Sequence, residues 1–96
     1  MIALSIIIVS YRSWNRLDAC LKSIAAQAMN NIEVIVVDNH SDDGQAEQFI
    51  SMHPQVRFIL QDTNAGFAQA CNRGAKEAKG NWLLFLNPDT VLQPNI

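Results

Sequence analysis

Apolar positions along the chain fall into blocks whose period changes from one block to the next. "ALSIIIVSY", Ala3 to Tyr11, is nearly continuous in apolar character and rich in β-branched residues. A strand covered on both faces has that composition, because neither side of its pleat meets water. In "NRLDACLKSIAAQA", Asn15 to Ala28, Leu17, Cys20, Leu21 and Ile24 recur at helical spacing. That predicts an amphipathic helix, with Ser13 or Asn15 placed to cap it. "IEVIVVD", Ile32 to Asp38, is a second buried strand, and "NHSDDG" after it is a turn cluster. "QAEQFISMH" reads as a short helix ended by Pro54, and "VRFIL" as a third strand. "AGFAQACNRGAKEAK" is an alanine-rich helix with Gly80 as its stop. "NWLLFLN", Asn81 to Asn87, is a fourth strand, read as buried.

The resulting order, β-α-β-α-β-α-β, implies a mostly parallel sheet with right-handed crossovers and helices on both faces. The expected fold is α/β, a Rossmann-like three-layer α/β/α arrangement. In such sheets ligands bind beyond the carboxyl ends of the strands. There is no internal repeat, low-complexity tract or linker. A sheet ending on this fourth strand leaves one edge bare, so the natural protein is expected to continue past Ile96.

Composition narrows the classes. Ninety-six residues suit one small domain or a piece of a larger one. An apolar fraction of 49% is globular rather than disordered. A net charge of -2 with no basic run excludes a nucleic-acid surface, which needs concentrated positive charge. "IALSIIIVSY" is too short to span a bilayer and lacks the basic leader and cleavage site of a signal peptide. Cys20 and Cys71 both fall in helical patterns, the setting of buried free thiols in a reducing compartment.

Candidate chemistry collects at the strand ends. The first strand ends in Ser10, Tyr11 and Arg12, the second in Asp38 and Asn39, the third in "QDTNAG", and the fourth in Asn87 and Asp89. Any one of these is ordinary turn or cap chemistry. Together they line the edge where a ligand sits. G-x-G-x-x-G after the first strand and the Walker A loop are both absent. Phosphates bound here need another source of neutralisation, and a divalent cation held by a carboxylate supplies one. Pro88 ends the sheet ladder and biases Asn87 toward an extended backbone, which sets Asp89 just past the strand. Asp89 is then the candidate ligand for Mg2+ or Mn2+, and Asn87 a neutral partner for a hydroxyl. A plain turn after a strand is the alternative for "NPDT".

"SIIIVSYRSWNRLDACLKSI", "IEVIVVDNHSDDG" and "NAGFAQACNRGAKEAKGNWLLFLNPDT" together resemble the amino-terminal half of family 2 glycosyltransferases of the GT-A fold, over essentially the whole chain. The resemblance implies a nucleotide-sugar-binding half, spanning residues 1–96 and truncated. It implies an inverting transfer of sugar from a nucleotide diphosphate sugar, of uridine or thymidine type, to a glycan or lipid-linked acceptor. Carried over by position, Ser10 and Tyr11 line the base and ribose pocket, with Tyr11 able to stack on a pyrimidine. Asp38 matches the aspartate that accepts from the base N3–H. Asn64 and Gly66 border the nucleotide. Asn87-Pro88-Asp89 takes the D-x-D position, Asn87 toward the ribose and Asp89 toward the metal. Trp14 and His40 are left as surface or packing residues.

The motif is N-x-D rather than D-x-D, and Cys71 stands before Asn72 where many relatives have an arginine, with Arg73 after it. The "NPDT" form is similar to bacterial rhamnosyltransferases and related cell-surface polysaccharide enzymes. The catalytic base and acceptor site are expected beyond Ile96. Because nucleotide sugars are cytosolic, the expected setting is the cytoplasm, with peripheral association of the full protein at the inner membrane face. Two alternatives stay open. One is a non-catalytic nucleotide-sugar-binding module. The other is a phosphorelay receiver-like domain, which expects an acidic pair where "SYRSW" stands.

Overall fold

The computed structural model describes residues 1–93. The chain runs β1 (Leu4–Ser10), α1 (Trp14–Ala25), β2 (Ile32–Asp38), α2 (Ala46–Ser51), β3 (Arg57–Leu60), α3 (Phe67–Glu77) and β4 (Trp82–Leu86). The strands form one parallel sheet in the order β3-β2-β1-β4. The α/β architecture and all seven elements expected from periodicity are present, with ends shifted by a few residues.

Register explains the two-sided core. Side chains alternate across a strand, so Ile6 and Ile8 face one way while Ile7 and Val9 face the other. Ile6, Ile8, Val34 and Val36 pack with Leu17, Cys20, Leu21 and Ile24 of α1 and with Phe49 of α2. Val9, Ile35 and Val37 pack on the other side with Ala70 of α3. Helix α3 comes close because Gly74 has no side chain. A Cβ there would lie 2.6 Å from Cγ2 of Ile7.

Three readings need correction. Gly80 does not stop α3 by a left-handed turn. The helix ends at Glu77 with Ala78 extended, and the glycines with positive φ are Gly44 and Gly66. Gly80 is small because it abuts β1, where a Cβ would stand 2.7 Å from the backbone nitrogen of Ser5. Ser13 holds the N-cap position of α1, but its hydroxyl caps nothing and is buried without a partner. Strand β4 is not buried. Trp82 is 73% exposed, and Leu83, Leu84 and Phe85 are each at least 40% exposed. Its apolar character matches that of β1, but among the described residues β1 is its one sheet neighbour.

At the strand starts, polar side chains tie the layers together. The Ser5 hydroxyl donates to Glu33 Oε2 at 2.6 Å, and the Lys79 N–H donates to the same oxygen at 2.6 Å. The Gly80 N–H donates to Ser5 Oγ at 2.8 Å. Between α1 and α2, His53 meets Asp18 at 2.9 Å, and Lys22 meets the other Asp18 oxygen at 2.9 Å.

Candidate functional site

Because β1 lies between β2 and β4, the sheet sets the predicted residues in a row along one edge. Asp38 and Asn39 end β2, Ser10 and Tyr11 end β1, and Asn87 to Asp89 follow β4. With a strand spacing of ~4.8 Å, about 10 Å separates β2 from β4.

The β1–β2 side is built on Asp38, a carboxylate only 3% exposed. Oδ1 accepts from the Ser41 hydroxyl at 2.5 Å and from the Ser10 hydroxyl at 3.3 Å. Oδ2 accepts from the Ser41 N–H at 2.9 Å. Three donors from its own chain therefore occupy this carboxylate, which anchors the β2–α2 turn. Ser41, 1% exposed, also accepts from the Arg12 N–H at 2.7 Å through its hydroxyl. Its carbonyl accepts from Arg12 Nε at 3.1 Å. Above this network Tyr11 is 46% exposed, with the Arg12 guanidinium 5.3 Å from its ring centroid. Tyr11, Arg12, Ser13, Asn15, Arg16 and Asp43 border an open polar cleft of about 340 Å³.

Asn39 carries more than the sequence reading gave it. It is buried, donates through Nδ2 to the Gly66 carbonyl at 3.2 Å, and accepts at Oδ1 from Gln61 Nε2 at 3.1 Å. It thus joins the end of β2 to the loop that carries Asn64 and Gly66. Asn64 folds onto its own loop, accepting from the Gly66 N–H at 3.1 Å. Gly66, at φ 94°, turns the chain into α3, a backbone shape that favours glycine. The signal for Asn39 and Ser41 was present in the turn cluster "DNHSDDG", since such side chains bond their own backbone. The sequence did not say which neighbours they would reach.

The β4 side is barer. Asn87 and Asp89 are exposed. Asn87 Oδ1 accepts from the Asp89 N–H at 3.2 Å, and the Thr90 N–H donates to the Asn87 carbonyl at 3.0 Å. This turn leaves the Asn87 amide hydrogens and the Asp89 carboxylate facing solvent. Beyond it the chain turns back along α1. The Leu92 N–H donates to Ser23 Oγ at 3.0 Å, and Gln27 Nε2 donates to the Gln93 carbonyl at 2.8 Å. Burial pushes the Cys20 thiol up, and the charge of Asp89 adds to that rise. Cys71 is half-buried and also raised by burial, and both cysteines are free thiols.

No cluster of three or more histidine, cysteine or acidic side chains able to hold a metal exists among the described residues. A hard cation held mainly by diphosphate oxygens and water needs only one or two carboxylates from protein. Asp89, a solvent-facing carboxylate past a strand end, fits that role, and Asn87 cannot supply the charge. Trp14 is a packing residue. It is buried, its indole donates to Asp43 at 3.0 Å, and its ring lies 5.0 Å from Phe49. His40 sits at the turn with its Nδ1 3.2 Å from the Gln61 carbonyl.

An open α/β sheet with its polar groups gathered at the strand ends has the arrangement in which such sheets bind ligands. The chain belongs to glycosyl transferase family 2, which it matches over residues 5–95. It is 40% identical over 91 residues to an uncharacterized glycosyltransferase of Haemophilus influenzae, covering 95% of this chain and 31% of that protein. Its structure matches that of S. aureus TarS 1–349 in complex with UDP-GlcNAc, with a TM-score of 0.83 and 29% identity. That match covers 92% of this chain and 27% of TarS 1–349. A mannosyltransferase from Pyrobaculum calidifontis, PcManGT, in complex with GDP-Man and Mn2+, shares the fold at a TM-score of 0.77 and 24% identity. That likeness covers 92% of this chain and 28% of PcManGT. The chain thus spans about a third or less of the length of these proteins.

Proposed function

We propose that this chain is the donor-binding part of an enzyme that transfers a sugar from a nucleotide diphosphate sugar to a glycan or lipid-linked acceptor. The observation that carries the reading is the row of strand ends, with Tyr11 exposed between the Asp38–Asn39 turn and Asn87–Asp89. Tyr11 stacks on a uracil or thymine ring. Asp38, held in place by Ser10 and Ser41, meets the base from the β2 side. Asn87 donates to ribose hydroxyls, and Asn64 and Gly66 border the nucleotide from the α3 side. Asp89 is the residue that would hold Mg2+ or Mn2+, a group that neutralises the leaving diphosphate when bound.

The transfer is inverting. The acceptor oxygen attacks the anomeric carbon as the bond to the diphosphate breaks, and a general base takes the acceptor proton. That base lies outside residues 1–96, as does the acceptor site. The setting is cytosolic, where nucleotide sugars are made, with the whole protein working on cell-surface polysaccharide at the inner membrane face. None of the helices formed by described residues is long and apolar enough to cross a membrane.

Titration calorimetry with uridine diphosphate, with and without Mn2+, tests this reading. Wild type binds, and manganese tightens binding. Asp89→Ala loses the gain from manganese and keeps its fold. Asn87→Ala weakens binding under both conditions by about 0.5–1.5 kcal/mol, the worth of a neutral hydrogen bond. A manganese gain that survives Asp89→Ala would reduce Asn-Pro-Asp to a strand terminator. The 96-residue chain transfers no sugar to lipid or glycan acceptors, and robust metal-dependent transfer would overturn the assignment of the base.

A further inference from the structure

We infer that Arg12 is a positioning residue for Tyr11, fixing the phenol ring so that it meets a nucleobase preorganised. The inference rests on the nucleotide-binding reading above. Arg12 holds on at three points. Its backbone N–H donates to Ser41 Oγ at 2.7 Å, its Nε donates to the Ser41 carbonyl at 3.1 Å, and its guanidinium lies over the Tyr11 ring at 5.3 Å. Ser41 is itself immobilised by two bonds to the buried Asp38. The exposed ring is therefore connected through one arginine to the most buried polar cluster of the site.

The backbone agrees with this assignment. Arg12 sits at φ 49°, in the left-handed region that non-glycine residues seldom adopt. Such strain persists where surrounding bonds over-determine it, and here both bonds go to Ser41. Within 4 Å no carboxylate pairs with Arg12 among the described residues. Its cation is committed to a carbonyl and an aromatic face instead. A planar guanidinium suits that stacked position, and lysine does not reproduce it. One face of the ring is propped by the guanidinium, which leaves the opposite face for a base.

The test uses Arg12→Asn, because asparagine tolerates the left-handed backbone while removing the guanidinium. Tyr11 is the chain's sole tyrosine, so its ring signals in an NMR spectrum are unambiguous. In the ligand-free protein, Arg12→Asn shifts those ring signals. It also weakens uridine diphosphate binding about two- to fivefold, the range of an exposed cation–π contact. In a Tyr11→Ala background, where binding is already weakened, Arg12→Asn causes no further loss. Unmoved ring signals, unchanged affinity in the Tyr11 protein, or an equal loss in the Tyr11→Ala protein would each overturn the positioning role. Uridine diphosphate bound as tightly by Tyr11→Ala as by wild type would remove the nucleotide reading itself. A Tyr11-dependent affinity that ignores Arg12 would remove this inference alone.

Discussion

The two strands that flank the candidate site, β1 and β4, have the same apolar character and opposite surroundings. Ile6, Ile7 and Ile8 are fully buried, while their neighbours across the ladder from Leu84 to Leu86 range from half-buried to 45% exposed. The strand ends differ in the same sense. Below Tyr11 the polar groups of Ser10, Asp38 and Ser41 are partnered within the chain, whereas the Asp89 carboxylate faces water. The Tyr11 side is tied down by bonds within the chain, and the Asp89 side is left open to water.

The sharpest way to break this comparison is to truncate paired residues. Ile7 and Phe85 face each other across the β1–β4 ladder. Ile7→Ala should cost about 2–5 kcal/mol in denaturant unfolding, as buried truncations do. Phe85→Ala should cost under about 1 kcal/mol, because its ring is already 45% exposed. Equal losses would mean that β4 is as covered as β1.

Ser41→Ala should come next, at about 1–3 kcal/mol, since it leaves the Arg12 N–H without its partner and Asp38 Oδ1 with only the longer bond from Ser10. A neutral result would show that the floor of the site is looser than its hydrogen bonds suggest. Asp89→Ala should change stability by no more than about 0.5 kcal/mol, because an exposed side chain is being removed. A larger loss would give Asp89 a structural duty that the comparison denies it.

The smallest effect at neutral pH becomes visible in acid. The hydrogen bond from Lys22 and the contact with His53 outweigh burial and hold the Asp18 carboxyl below the usual carboxylate range. Burial acts against Glu33, but Ser5, the Lys79 N–H and the charges of Arg57 and Lys79 outweigh it and lower that carboxyl too. A folded-state pKa below the unfolded one gives stability that is present above the unfolded value and lost as pH falls through the folded one. Melting temperature should therefore decline below about pH 4. Asp18→Asn should flatten part of that decline, and an unchanged profile would remove Asp18 from the account.

Much of this molecule was legible before any coordinates. Period-2 and period-3.6 blocks placed the elements, and the alternation of strand and helix gave the parallel sheet. The strand ends named the candidate residues. What escaped depended on distant partners. The solvent exposure of Trp82 to Phe85 follows from where β4 lies in the sheet, and a strand's own letters do not record its neighbours. Gly80 looked like a helix stop, but its smallness answers to Ser5, far away in sequence. Asn87 reads from the sequence as a neutral partner for a hydroxyl, and its oxygen also closes its own turn onto Asp89.

The strand order also bears on how the chain is made. The first strand to emerge, β1, ends in the interior of the sheet, and Leu4 waits for Trp82 to complete its ladder. Pairings so far apart in sequence carry a large loop-closure entropy and slow folding. During synthesis β1 therefore has one open flank until β4 has left the ribosome. Such an unpaired apolar strand edge is prone to aggregation, and the arrival of β4 ends that interval.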